Sequence, residues 1–273
     1  MIGQKDFIAR MEALIEKNAF PRFSILVGPK GCGKKTACKW LVDALKHDSY
    51  TLPDIKIDTI RQMMDVSYKA IKPIVYLIQD ADGMSTAAKN SLLKVTEEPP
   101  NNAYFIMTLE DENNTLDTIK SRANVFHLNN YTKDEIIEYA RRESKLTSEE
   151  IAIIDEVCTV PGDVDMLCAY KPVDFYKYVE QVVKNIAEVE GANAFKISDK
   201  LAIKNDDANG YDIKLFLRAF MSKCVMHMGE DPFKYVSGVS ITNKYINQLG
   251  IKGVSKQMLI DAWILEIRKA WLK

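Results

Sequence analysis

The residues best suited to do chemistry lie in Gly28-Pro29-Lys30-Gly31-Cys32-Gly33-Lys34-Lys35-Thr36. This is the G-x-x-x-x-G-K pattern of a loop whose backbone N–H groups cradle phosphates, with the Lys34 ammonium placed to reach the β and γ oxygens. Such a loop must join a strand to a helix, whose N-terminus adds positive potential. One departure matters. The position after the lysine should carry a Ser or Thr hydroxyl that binds Mg²⁺, and here it is Lys35. Thr36 comes one residue late, about 100° further round a helix, and does not replace it. Lys35 sets an ammonium where a dication belongs.

A second set of residues follows a second apolar run. Ile74-Val75-Tyr76-Leu77-Ile78 leads into Gln79-Asp80-Ala81-Asp82. In a phosphate-loop hydrolase this strand ends in an Asp that organises the Mg²⁺ shell, and a Glu follows to polarise the attacking water. Gln79 is neutral. Asp80 is one methylene shorter than Glu, about 1.5 Å of reach. Altered residues at both magnesium positions predict that hydrolysis is lost. A blander reading stands beside this one: a glycine-rich turn, with Lys30, Lys34, Lys35 and Lys39 as a solvated basic helix start that attracts free phosphate or sulfate.

The elements needed to position these residues are legible. Phe23–Val27 reads as a short buried strand. Residues 34–46 read as a helix with Ala37, Trp40, Leu41, Ala44 and Leu45 on its apolar side. A helix is expected over 5–17, with Phe7, Met11, Leu14 and Ile15 on one face, and another over 85–97, stopped by Pro99-Pro100. Further strands are expected over 103–108 and 124–128. Strands alternating with helices predict a parallel α/β sheet covered on both faces. After residue 130 the pattern becomes helical. Thr132-x-x-Glu135 and Thr147-x-x-Glu150 read as capping boxes, and a third helix is expected near Asp163, after Pro161-Gly162. From Pro172 onward the chain reads as almost wholly helical, with turns at 205–210, 229–232 and 250–253. The last helix, 255–271, is apolar over Leu259, Ala262, Trp263, Leu265, Ile267 and Ala270, which predicts burial against helices or another chain.

Composition narrows the function classes. With 273 residues, the chain is long enough for nearly two domains and needs no disulfide or metal staple. The 37 basic and 38 acidic residues nearly cancel, so bulk charge attracts neither nucleic acid nor acidic membranes. No apolar run approaches a membrane span, and the first residues lack the apolar core of a secretory signal, so the cytoplasm is expected. The five cysteines and three histidines show no ligand spacing; they predict reduced structural thiols and no zinc.

The stretch from Asp80-Ala81-Asp82-Gly83-Met84 through Ala88-Lys89-Asn90-Ser91-Leu92-Leu93-Lys94 to Glu97-Glu98-Pro99-Pro100 resembles the clamp-loader branch of the AAA+ ATPases. Thr118-Ile119-Lys120-Ser121-Arg122-Ala123 resembles that family's T-I-R-S-R-C, and Ile2-Gly3-Gln4 resembles the I-G-Q near its adenine pocket. The similarity covers residues 2–170. It implies a RecA-like AAA+ P-loop module with a parallel sheet over 1–130, a three-helix lid over 131–171 and an all-α collar over 172–273. Pro161-Gly162-Asp163-Val164 resembles the lid site whose arginine touches phosphate, with Asp163 in the arginine's place. By the same resemblance Arg122 is an arginine finger acting on a neighbouring subunit's ATP; its bland reading is a surface arginine in a turn.

Everything serving this chain's own nucleotide is altered, while the residue serving a neighbour is kept. The resemblance therefore implies a non-hydrolysing subunit within a DNA polymerase III clamp loader. Its partners would be gamma/tau-like and delta-like subunits and, through the complex, the sliding clamp and primer-template DNA. No cofactor is required, and residual ATP, ADP or phosphate at the loop is allowed. The competing readings are an active clamp-loader-type ATPase using Thr36 and Asp80 in unusual ways, and a small-molecule P-loop kinase, which the helical C-terminal third and the Ser121-Arg122 turn disfavour.

Overall fold

The computed structural model describes residues 2–143, 145–189, 191–201, 210–249 and 254–272. The chain divides into two compact units, Met1–Glu135 and Ile136–Lys273.

The first unit is built on a five-stranded, wholly parallel sheet of order β2-β3-β4-β1-β5. The strands are β1 (Phe23–Val27), β2 (Asp48–Thr51), β3 (Ile74–Ile78), β4 (Ala103–Leu109) and β5 (Asn124–His127). β1 is buried at every position, which explains its uninterrupted apolar sequence. The helices are α1 (Lys5–Glu16), α2 (Lys34–Leu45), α3 (Ile57–Ser67), α4 (Thr86–Ser91), α5 (Leu93–Glu97) and α6 (Asp117–Lys120). β1 and β3 fall where the sequence places them. The helix expected over 85–97 is interrupted at Leu92, between α4 and α5. β2 and α3 were not expected. The side chains of β2 are all exposed, so it carries no apolar signal. α3 does carry one, since Ile57, Ile60, Met63 and Met64 recur at helical spacing, and Ile60 and Met63 are buried.

α7 (Lys133–Glu143) runs across the boundary between the units. Thr132 opens it with the expected reciprocal box: its backbone N–H donates to Glu135 at 2.9 Å, and Glu135 N–H donates to the Thr132 hydroxyl at 3.3 Å. The second unit continues with α8 (Ser148–Val157), α9 (Pro161–Ala169), α10 (Pro172–Asn185), a 3₁₀ run over Gly191–Lys200, α11 (Ile213–Met226), α12 (Pro232–Gln248) and α13 (Lys256–Trp271). Thr147 forms the second capping box, with Glu150. Residues 205–209 and 250–253 of the expected turns lie outside the described residues. In α13 the buried set is Leu259, Ile260, Trp263, Ile264 and Ile267. Leu265 is 55% exposed, contrary to expectation: the helix rotates it onto the face opposite the 260/264/267 row. No described helix is long and apolar enough to cross a membrane.

Aromatic packing dominates the second unit. The Trp263 ring meets Phe220 edge-on at 4.9 Å, and its indole N–H donates to the buried Thr242 hydroxyl at 3.0 Å. Gly238 lets α12 approach α13: a Cβ there would lie 2.6 Å from the Trp271 ring and 3.1 Å from Cys224 Sγ. Burial pushes the Cys224 thiol up to about 12, so it packs as a neutral apolar group.

Two outcomes are expected. Gly238→Ala should destabilise the protein by about 1–3 kcal/mol, although alanine is the better helix former by ~1 kcal/mol; a denaturant titration showing equal or raised stability would contradict the close approach. The second concerns His227, whose ring nitrogens lie 2.8 Å from both Glu230 and Glu180. The bond to Glu230, opposed by burial and helped by Glu180, raises the imidazole above its ordinary value. Burial works against the Glu180 charge, but bonds from Lys184, Lys223 and His227 outweigh it and bring that carboxyl to about 2. The extra stability of the native chain over His227→Gln should therefore be full below about pH 6.5, where the unfolded histidine is also charged, and should fade as pH rises through the folded-state value. Thermal melts of both proteins from pH 5 to 9 measure it; a pH-independent difference would rule out the linkage.

Candidate functional site: a phosphate-type loop and an arginine on opposite sheet edges

The loop begins where β1 ends. Gly28 N–H donates to the Leu109 carbonyl at 3.1 Å, tying the loop's first residue to the end of β4. Cys32 folds beneath it: a Cβ on Gly28 would lie 2.6 Å from Cys32 Sγ, so this position admits only glycine. Gly31 and Gly33 both have positive φ, a conformation glycine adopts without strain. The thiols of Cys32 and Cys38 are buried and raised, Cys38 to about 12; neither is a thiolate. Pro29, Lys30 and Gly31 are exposed at the loop tip, as are Lys35 and Thr36 at the start of α2.

Lys34 is 7% exposed, and its ammonium donates to the Gly28 carbonyl at 2.6 Å and the Pro29 carbonyl at 3.0 Å. The cation at the centre of the motif is thus engaged by the loop itself. Lys35 pairs with Asp80 at 3.1 Å. This single contact joins two of the altered positions, one on α2 and one after β3. Asp80 sits in the left-handed region, φ 52°, and its N–H donates to the Thr108 hydroxyl at 2.9 Å. Gln79 is half-buried beside it. At the two magnesium positions the groups present are the Lys35 ammonium and the Gln79 amide, with the Asp80 carboxylate already paired with that ammonium. Mg²⁺ needs octahedral oxygen donors, usually including one or two carboxylates, and this set does not fit it. Among the described residues no cluster of three or more His, Cys, Asp or Glu side chains could hold a metal.

One residue that matters here, Tyr131, gave no sequence signal, whereas Gln4, Asp82 and Lys89 belong to the motifs already quoted. Tyr131 donates its hydroxyl to the Cys32 carbonyl at 2.9 Å, and its ring packs on Gly3. Gln4 is buried and grips Asn129 from both sides: its amide donates to the Asn129 carbonyl and accepts from the Asn129 N–H, each at 2.7 Å. Ile2-Gly3-Gln4 therefore fastens the chain ahead of α1 to the segment after β5. Asp82 accepts from Glu110 N–H and the Asn114 side-chain amide, each at 2.9 Å. Buried Lys89 donates to the Asn114 carbonyl. The D-A-D and A-K-N positions of the long motif thus organise the loop after β4.

Asp163 lies in the second unit and is 7% exposed. Its Oδ2 accepts from Thr159 N–H at 2.9 Å, the Thr159 hydroxyl at 3.1 Å, Val160 N–H at 3.3 Å and Arg218 Nη1 at 2.6 Å. The sequence offers this carboxylate as one facing phosphate, but its charge is spent on opening α9 and pairing with α11.

Arg122 follows α6, in a turn closed by its N–H to the Ile119 carbonyl at 3.1 Å. Its Nη1 donates to the Thr118 carbonyl at 2.8 Å, and its Nε lies 3.2 Å from Glu97 Oε1. Topology separates it from the loop. β5 runs parallel to β1, with Asn124 opposite Ser24 and His127 opposite Val27. Arg122 precedes β5 and the loop follows β1, so they occupy opposite edges of the sheet, one strand length or roughly 16 Å apart.

Residues 43–132 match the family model described as DNA polymerase III, delta subunit. DNA polymerase III subunit delta' of Haemophilus influenzae is 28% identical over 52% of this chain and 46% of its own length. Subunit tau of Bacillus subtilis is 22% identical over 98% of this chain and 53% of its own. The chain spans about half the length of these curated relatives. Among solved structures, a DNA polymerase III gamma subunit-related protein from Thermotoga maritima superposes with a TM-score of 0.54 at 17% identity, covering 96% of this chain and 99% of that one. The RuvB Holliday junction branch migration motor of the same organism gives 0.54 at 16% identity, over 79% and 87%; these two likenesses concern the fold. The parallel sheet, the strand-loop-helix at Gly28–Thr36, the Asp80–Pro100 motif and the matched relatives together make the chain similar to the clamp-loader branch of the AAA+ family, with DNA polymerase III subunit delta' among the relatives it resembles.

Proposed function

We propose that this chain is a non-hydrolysing, stator-like subunit of a DNA polymerase sliding-clamp loader, which lends Arg122 to the ATP site of a neighbouring subunit. The observation that carries the first half is the Lys35–Asp80 ion pair at 3.1 Å beside Gln79. It puts positive charge where a dication would have to bind and engages the Asp80 carboxylate. Phosphoryl transfer in this class rests on positioning and on charge stabilisation by that metal. The self-engaged Lys34 supports the same reading, because a phosphate would have to displace two loop carbonyls.

The second half rests on the sheet edges. An arginine one strand length from its own loop is badly placed to act on a nucleotide bound there, but lies on a surface open to another subunit. A guanidinium presented across an interface can bond γ-phosphate oxygens and offset the charge that spreads over them in the transition state. The partners this role requires are gamma/tau-like and delta-like subunits, with the clamp and primer-template DNA engaged through the complex. The relatives named as subunits delta', tau and gamma/tau of DNA polymerase III support that assignment.

Two measurements test the reading. The isolated full chain should show no Mg²⁺-dependent ATP turnover, and Mg²⁺ should not enhance its binding of a fluorescent ATP analogue. Turnover near ~1 s⁻¹ or faster, abolished by Lys34→Ala, would establish an active ATPase instead. In a complex with its co-purifying subunits, Arg122→Ala should leave assembly intact and lower the DNA- and clamp-stimulated ATPase. Fingers contribute about 10³- to 10⁵-fold at the site they serve, but other sites carrying their own would make the total loss smaller. Unchanged ATPase and clamp loading at equal assembly would reduce Arg122 to a surface residue.

A further inference from the structure

Arg122 is held in a particular way. Two of its three nitrogens are engaged by two different elements: Nη1 by the Thr118 carbonyl on α6, and Nε by Glu97 Oε1 at the end of α5. Nη2 has no hydrogen-bond partner among the described residues. Both backbone positions are fixed as well. Arg122 sits in its hydrogen-bonded turn, and α5 closes with Glu98 N–H on the Lys94 carbonyl at 2.9 Å just before Pro99-Pro100. A guanidinium is planar, so anchoring Nε and Nη1 fixes its plane and leaves Nη2 as the nitrogen not yet engaged.

We infer that Glu97 is a positioning residue for Arg122, aiming the guanidinium so that its Nη2 edge meets an anionic phosphate group outside this chain. This deepens, and rests on, the proposed trans role of Arg122. The Glu97 and Arg122 side chains are 52% and 39% exposed. At that exposure an ion pair is weak, so it orients the arginine without competing strongly against a phosphate. It also restricts the many rotamers of a long side chain before the encounter, the kind of preorganisation that transition-state stabilisation depends on. The opposite role, a latch that withholds the arginine, predicts the opposite sign when Glu97 is removed.

The test compares wild type, Glu97→Ala, Glu97→Gln, Arg122→Ala and the Glu97→Ala/Arg122→Ala double variant, each assembled with the co-purifying subunits. Glu97→Ala should lower kcat of the stimulated ATPase by part of the loss that Arg122→Ala shows, since small misplacements of a catalytic group are costly, with KM little changed. Glu97→Gln keeps the Oε1 acceptor and should fall between wild type and Glu97→Ala. The double variant should be no slower than Arg122→Ala. In the isolated full chain the Arg122 Nε–Hε NMR signal should be shifted and slowly exchanging, and should lose both properties in Glu97→Ala. If Arg122→Ala is impaired while Glu97→Ala matches or exceeds wild type, the positioning role is overturned and the trans reading survives. If Arg122→Ala is itself unimpaired, the trans reading fails and this inference with it. An Nε–Hε signal indifferent to Glu97 overturns the ion pair directly.

Discussion

Because the five strands of the sheet run in one direction, chain polarity sorts every connection to one of two edges. Segments that follow strands meet at the carboxyl edge: Gly28–Gly33 after β1, Gln79–Asp82 after β3 and Glu110–Asn114 after β4. Segments that precede strands meet at the amino edge, among them the end of α5 and the turn bearing Arg122. The central pairing that maintains this order is β1 between β4 and β5, with Ile25 and Leu26 fully buried. Each edge keeps its own set of polar residues, and the buried strands hold the two sets apart.

At the carboxyl edge many of the polar groups engage one another, although Lys30, Lys35 and Thr36 remain exposed. Lys34 serves the loop's carbonyls, Lys35 and Asp80 serve each other, Asp82 serves the backbone after β4, and Tyr131 closes on Cys32. Each contact satisfies a group that could otherwise recruit an outside ligand. At the amino edge, by contrast, the Nη2 side of Arg122 stays open. The difference between a site that engages its own charges and one that leaves a guanidinium nitrogen unengaged is the physical basis of the proposed stator reading.

Much of the frame was legible because it is local. β1 and β3 are unbroken apolar runs, and a Ser/Thr-x-x-Glu spacing suffices to place the starts of α7 and α8. The loop glycines declare themselves in the same way. β2 is illegible because an exposed edge strand of Asp48-Ser49-Tyr50-Thr51 shows no burial pattern, whereas α3 has a readable period in Ile57, Ile60, Met63 and Met64. The roles of Tyr131, Glu97 and Asp163 were hidden for another reason. Tyr131 reaches Cys32 across 99 residues, Glu97 meets Arg122 from a different element, and Asp163 finds Arg218 55 residues away. Spacing reveals periodicity within an element, not which elements the fold will bring together. The charge pattern did suggest that Lys35 and Asp80 were both out of place, but not that each answers the other.

That mutual answer has a consequence for descent. Suppose a lineage began to regain a hydroxyl at position 35. The first substitution would leave Asp80 without its cation while Gln79 still offered no metal ligand, so the intermediate would lose a contact and gain no activity. The same holds in the other direction, since a carboxylate at position 79 would meet the Lys35 ammonium before it could meet a metal. The two positions share one contact, but at 66% and 64% exposure that contact is weak, and its loss alone costs little. On the proposed reading, what separates this chain from a metal site is the number of positions that must change together, 35 and 79 among them, and not the strength of one surface ion pair.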